Sequence, residues 1–141
     1  MKYQKTKEVL NQLVADLSQM AMVIHQTHWY MRGTNFLKLH PLMDEFMDEI
    51  NAQLDVISER LITLDGEPFS TLSEMADHTG IKDEKGSFGK ERRSAWQRLS
   101  KIIAIWKSFI KRALKFLMRK KITALKTFSS DSRLRLKRRF G

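Results

Sequence analysis

The chain has no cysteine among its 141 residues, so neither a disulfide framework nor a thiolate metal site is open to it. That absence fits a reducing compartment, and a cytoplasmic location is expected. Only two prolines and six glycines interrupt it, which leaves few obligatory turns and favours long helices. No apolar run approaches the roughly 20 residues of a membrane-spanning helix, so no membrane partner is expected. The N-terminal residues run straight into polar and charged positions, without the apolar core of a secretory signal. Leu, Met, Glu and Lys are plentiful, and all four are good helix formers. The expectation is an all-α chain of one domain's length, large enough to bury a core.

Charge of one sign is scarce in each half. Residues 1–89 carry 8 Lys and Arg against 14 Asp and Glu, a net of −6. Residues 90–141 carry 18 against 2, a net of +16, and together they make the overall +10. One compact domain seldom divides so sharply along its sequence.

Apolar residues recur at helical spacing from Thr6 to Met31, with Thr6 as the expected N-cap. Gly33, Thr34 and Asn35 break the pattern. A second helix is expected from about Asn35 or Pro41 to Leu64 (41–64 at its narrowest), ended by Asp65-Gly66-Glu67-Pro68, with a short connecting helix over 70–75. These elements make up an N-terminal part, 1–89. In the basic part, 90–141, helical spacing returns over 96–117 with Lys and Arg on the other face. Taken alone, such a helix suits anionic membrane or nucleic acid.

The second helix carries the chemistry. With His40 set at 0° and a turn of about 100° per residue, Asp44, Asp55 and Glu59 fall within about 100° of it, opposite the apolar face. Asp48 shares the stripe, so a solvated polar face is the plain alternative. The sharper alternative is metal: imidazole and carboxylate at i, i+4 can converge on one ion, and His with Asp or Glu suits iron or manganese. Asp44 and Asp55 lie about 16 Å apart along the axis, so one helix cannot bring both pairs to one ion. Two copies packed antiparallel could, with His40 and Asp44 of one facing Asp55 and Glu59 of the other. His25 and His28 on the first helix are further candidates. A lone histidine near an aromatic is more often a hydrogen-bonded core residue than a ligand.

The stretch HWYMRGTNFLKLHPLMDEFMDEINAQLDVISERLITLDGEPFSTLSEM, His28 to Met75, resembles the signature region of the Dps family, small ferritins. The resemblance implies a ferritin-like four-helix bundle, here with its first two helices intact and an aberrant C-terminal part. It also implies assembly with copies of itself into a shell of twelve subunits, with an iron-oxidising centre across a two-fold interface. Residue by residue, H-W-x-x-x-G gives His28, L-H-x-x-x-D gives His40 and Asp44, and D-x-x-x-E-R gives Asp55 and Glu59. His28, His40 and Asp44 would then come from one subunit and Asp55 and Glu59 from its neighbour. Trp29 sits where the family keeps an aromatic beside the iron. The implied activity is that of a ferroxidase: ferrous iron bound, oxidised by hydrogen peroxide and stored as ferric mineral, with protection against oxidative stress. Some members also bind DNA without sequence preference through basic tails, for which Lys2, Lys5 and Lys7 are the candidates here.

After Gly89 the resemblance stops. Reading each codon one nucleotide earlier, residues 96–115 permit MAALVKDYRDLEELYKEGIE, 116–130 permit VSDEEEDNSTKDIFI, and 132–141 permit FKAEAEKTIW. These strings resemble the family's third helix, acidic loop and start of the fourth helix. The expectation is a change of frame between Gly89 and Trp96. The rival functions are a basic protein that binds nucleic acid or membrane without catalysis, and a non-functional fragment.

Overall fold

The structure, a computed structural model, describes residues 3–82, 84–88, 97, 100, 102–105, 107, 108 and 111. Among the described residues the secondary structure is helical, with no strand. The chain divides into two units, Met1–Ile102 and Ile103–Gly141. The first therefore runs past Gly89, and Ile102 is buried at its end. In the second unit Ile103–Ile105, Lys107, Ser108 and Lys111 are helical, with both lysines exposed. Gln97, Ser100 and Ile102, in the first unit, are helical too, and the remaining residues of the helix expected over 96–117 lie outside the described residues.

Helix α1 spans Gln4–Tyr30. It starts before Thr6, because the Tyr3 carbonyl accepts from the N–H groups of both Thr6 and Lys7. Thr6 is thus a buried helical residue rather than the cap, and Tyr3, at φ 66°, takes the cap position without a side-chain bond. Leu10, Leu13, Val14, Leu17, Met20 and Ile24 are buried along one stripe, the 3–4 residue spacing of a single helix face.

Gly33, at φ 118°, turns the chain within five residues, and α2 follows over Phe36–Ile62. It begins five residues before Pro41, which lies inside it. Proline has no N–H to give, so the helical bond that position 41 would make to the Leu37 carbonyl is forgone in the second turn of α2. Leu39, Met43, Phe46, Ile50, Ile57 and Leu61 form its buried stripe and pack on that of α1. Gly66 closes the end by donating to the Leu61 carbonyl at 3.0 Å. A Cβ there would sit 2.5 Å from Leu61 Cδ1, so only glycine permits the approach.

Helix α3, Leu72–His78, starts two residues later than position 70 because Thr71 caps it. The chain from α2 through α3 is tied along α1 by polar side chains. Asn11 bonds the Glu67 carbonyl and the Phe69 N–H, and Gln12 bonds the His78 carbonyl. Asp16 is buried and accepts from the Gly80 N–H at 2.7 Å and the Thr79 hydroxyl at 3.1 Å. Gln26 reaches the Glu84 carbonyl.

Candidate metal centre

Because five residues join α1 to α2, the last turn of one helix lies beside the first turns of the next. His28 is in the last turn of α1, and His40 and Asp44 stand one turn apart near the start of α2. One ligand atom from each lies within 4.8 Å of the others, the single such group of three or more His, Asp or Glu among the described residues. His28 Nε2 is 3.0 Å from His40 Nδ1, and His28 Nδ1 is 3.3 Å from Asp44 Oδ1. The first contact is a hydrogen bond whose direction the tautomer sets, and the second is a close approach of imidazole to carboxylate.

The surroundings favour a cation. The last carbonyls of α1 present partial negative charge close to His28, and Asp44 adds a full one. The His28 side chain is 14% exposed and that of Asp44 56% exposed, so the group is walled on the imidazole side and open on the carboxylate side. Phe36, one turn before His40, packs on its ring at 4.5 Å between centroids. The i, i+4 spacing of Phe36 and His40 is the sequence signal for this contact. Two imidazoles and one carboxylate suit a first-row divalent ion such as ferrous iron, and three ligands leave positions open.

Asp55 and Glu59 do not join this group within the chain. Both are exposed further along α2, on the side of that helix shared with Asp44 and Asp48. Trp29 is 59% exposed and stacks on His25, with centroids 5.1 Å apart, rather than on His28. His25 Nδ1 is buried without a hydrogen-bond partner, contrary to the satisfied core histidine expected of a lone imidazole.

The Ferritin-like domain family matches residues 7–115, and the chain is 32% identical to the structure of Dps from Listeria innocua soaked with cobalt. That likeness has a TM-score of 0.78 and covers 89% of this chain and 83% of the other. The chain belongs to the ferritin-like Dps family. It is 54% identical over 83 residues to the DNA protection during starvation protein of Streptococcus suis, covering 59% of this chain and 48% of that one. To the Listeria innocua protein of the same name it is 46% identical over 78 residues, covering 55% and 50%. The chain thus spans about half the length of the curated relatives it matches. The ferritin-like helical fold expected from the Dps signature stands.

Proposed function

We propose that this Dps chain supplies half of a ferroxidase centre, with ferrous iron as substrate and hydrogen peroxide as oxidant. The observation that carries this is the convergence of His28, His40 and Asp44 within 4.8 Å, open on the Asp44 side. His28 and His40 would give nitrogen ligands and Asp44 an anionic oxygen. Asp55 and Glu59 of a second copy would close the open side, since both are exposed and too far along α2 to reach their own Asp44. Binding iron requires His28 and His40 to give up their mutual hydrogen bond and turn lone pairs to the ion. The Asp44 contact holds the His28 ring in place meanwhile.

Two ferrous ions would each give one electron to one peroxide. Its O–O bond breaks, and two protons from solvent complete two waters, without release of hydroxyl radical. The ferric product is stored. Protection of DNA, in the relatives' name, would follow in the cytoplasm from removal of iron and peroxide together. Non-specific DNA contact through the N-terminal lysines belongs to the same reading: Lys5 is exposed, Lys7 is held by the Asp65 carbonyl and Lys2 lies outside the described residues; its mark would be affinity falling steeply with salt.

The test is stoichiometry. Anaerobic ferrous iron is given to the assembled protein, and peroxide is added in steps. Oxidation of two iron ions per peroxide, without spin-trapped hydroxyl radical, is expected. A ratio of one with trapped radical would show ordinary solution chemistry and refute the proposal.

A further inference from the structure

We infer that the coding frame changes between Gly89 and Trp96, so that the basic segment is the family's acidic one read one nucleotide out of phase. The first observation is a step in identity. To the curated Listeria innocua relative, 46% of 78 residues is about 36 identities. To the Listeria innocua structure, 32% over 89% of the 141-residue chain is about 40 identities in about 125 aligned positions. Other Listeria innocua Dps structures are 28–31% identical over the same share, so the remaining 47 or so positions hold about four at most, no better than unrelated sequence gives. Gradual divergence lowers identity everywhere, whereas a frame change lowers it at a point.

The second observation is charge. The same chain passes from −6 over residues 1–89 to +16 over residues 90–141. Codon structure accounts for the sign. Lysine codons begin with two adenines, so a lysine that follows a codon ending in G becomes GAA, glutamate, when read one nucleotide earlier. Trp106 has the single codon TGG, so Lys107 must become glutamate and no wobble base can alter that. By the same rule Gln97, after Trp96, must become alanine.

The third observation is periodicity. Leu99, Ile103, Trp106, Ile110 and Leu114 lie at spacings of four, three, four and four in the frame as read, one helix face. In the earlier frame position 106 is leucine or methionine whatever the wobble base, and position 109 is phenylalanine, leucine, isoleucine or valine. Positions 99, 103, 110 and 114 can all be apolar or aromatic. A stripe permitted in both frames is consistent with Ile103–Ile105 being helical in the frame as read. The lysines at 107 and 111 are exposed, where a changed charge is tolerated.

The inference rests on family membership and codon structure, not on the iron reading, so either can fail alone. It also removes the ground for a selected nucleic-acid module in residues 90–141. The test is the nucleotide sequence from the Gly89 codon onward, translated one nucleotide earlier from the Trp96 codon. The expected result is an open frame through position 115 with net negative charge. Its identity to the Streptococcus suis relative should return to about half, the level of the aligned 83 residues. A stop codon before position 115, a basic translation, or identity no higher than in the present frame would each overturn it.

Discussion

His28 shows how one side chain can organise a site before any ion arrives. Its two ring nitrogens reach the other two members of the group, one at 3.0 Å and one at 3.3 Å. Removing His28 would leave His40 and Asp44 on one helix with no partner across the hairpin. Asp44 is the group's only carboxylate, and the Asp44→Asn change keeps its size while removing the anionic oxygen. Ferrous affinity should then fall by at least about tenfold, the scale seen even when groups behind the ligands are removed. Anaerobic iron titration followed by calorimetry measures it, and an unchanged affinity would exclude Asp44 as a ligand. His40 and Asp44 were legible because a shared face follows from spacing alone. The His28–His40 contact was not, since it depends on how residues 31–35 turn. The stacking of Trp29 on His25 was legible in their i, i+4 spacing, as the packing of Phe36 on His40 was.

At the scale of elements, the stripes of α1 and α2 follow from 3.6-residue periodicity, and the structure buries them as that pattern requires. The helix starts were less legible. Thr6 looked like a cap by residue type, yet Tyr3 in a left-handed conformation begins the helix without any side-chain bond. Asp16 was hidden for a similar reason: an acid on the apolar face of α1 makes sense only once Thr79 and Gly80 are seen to reach it. Leu17 is 1% exposed in the α1 stripe, so its truncation would leave a cavity. Leu17→Ala should lower stability by about 2–5 kcal/mol, as measured by urea unfolding followed by helical circular dichroism. A loss under about 0.5 kcal/mol would show that this stripe is not a packed core.

The capping box of α3 gives a pH dependence with a definite sign. The Ser70 N–H, the Thr71 hydroxyl and the Thr71 N–H all donate to the Glu74 carboxylate, which holds it below the usual glutamate range. Thr71 returns the bond by accepting from the Glu74 N–H. A carboxyl group lowered on folding contributes stability that is fully present above its unfolded value. That contribution is lost as pH falls through the folded value. The first turn of α3 should therefore be well protected at neutral pH and loosen only below the ordinary glutamate range. Hydrogen exchange at the Ser70, Thr71 and Glu74 amides against pH reads this. Protection that rises on acidification would contradict the carboxylate's role.

At the scale of the whole molecule, the question is what lies against the open side of the metal group. Leu37, Val56 and Ile62 on α2 are exposed at 87%, 54% and 59%, on the same helix as exposed Asp55 and Glu59. Apolar groups interspersed with acids that join no metal-ligand group among the described residues fit a face that meets a second copy. About 16 Å along α2 separates Asp44 from Asp55, so an antiparallel copy could bring the two halves together where one chain cannot. A chain held as a monomer should consequently oxidise ferrous iron no faster than buffer. A chain carrying the acidic frame after Gly89 should form a large closed assembly and oxidise iron quickly, because the field drawing cations inward would have changed sign. Light scattering, run beside an absorbance assay for ferric product on the same fractions, separates the cases. Activity confined to the assembled fraction supports a site shared between copies. Activity in the monomer peak would mean that His28, His40 and Asp44 suffice, and the partner's Asp55 and Glu59 would lose their proposed role.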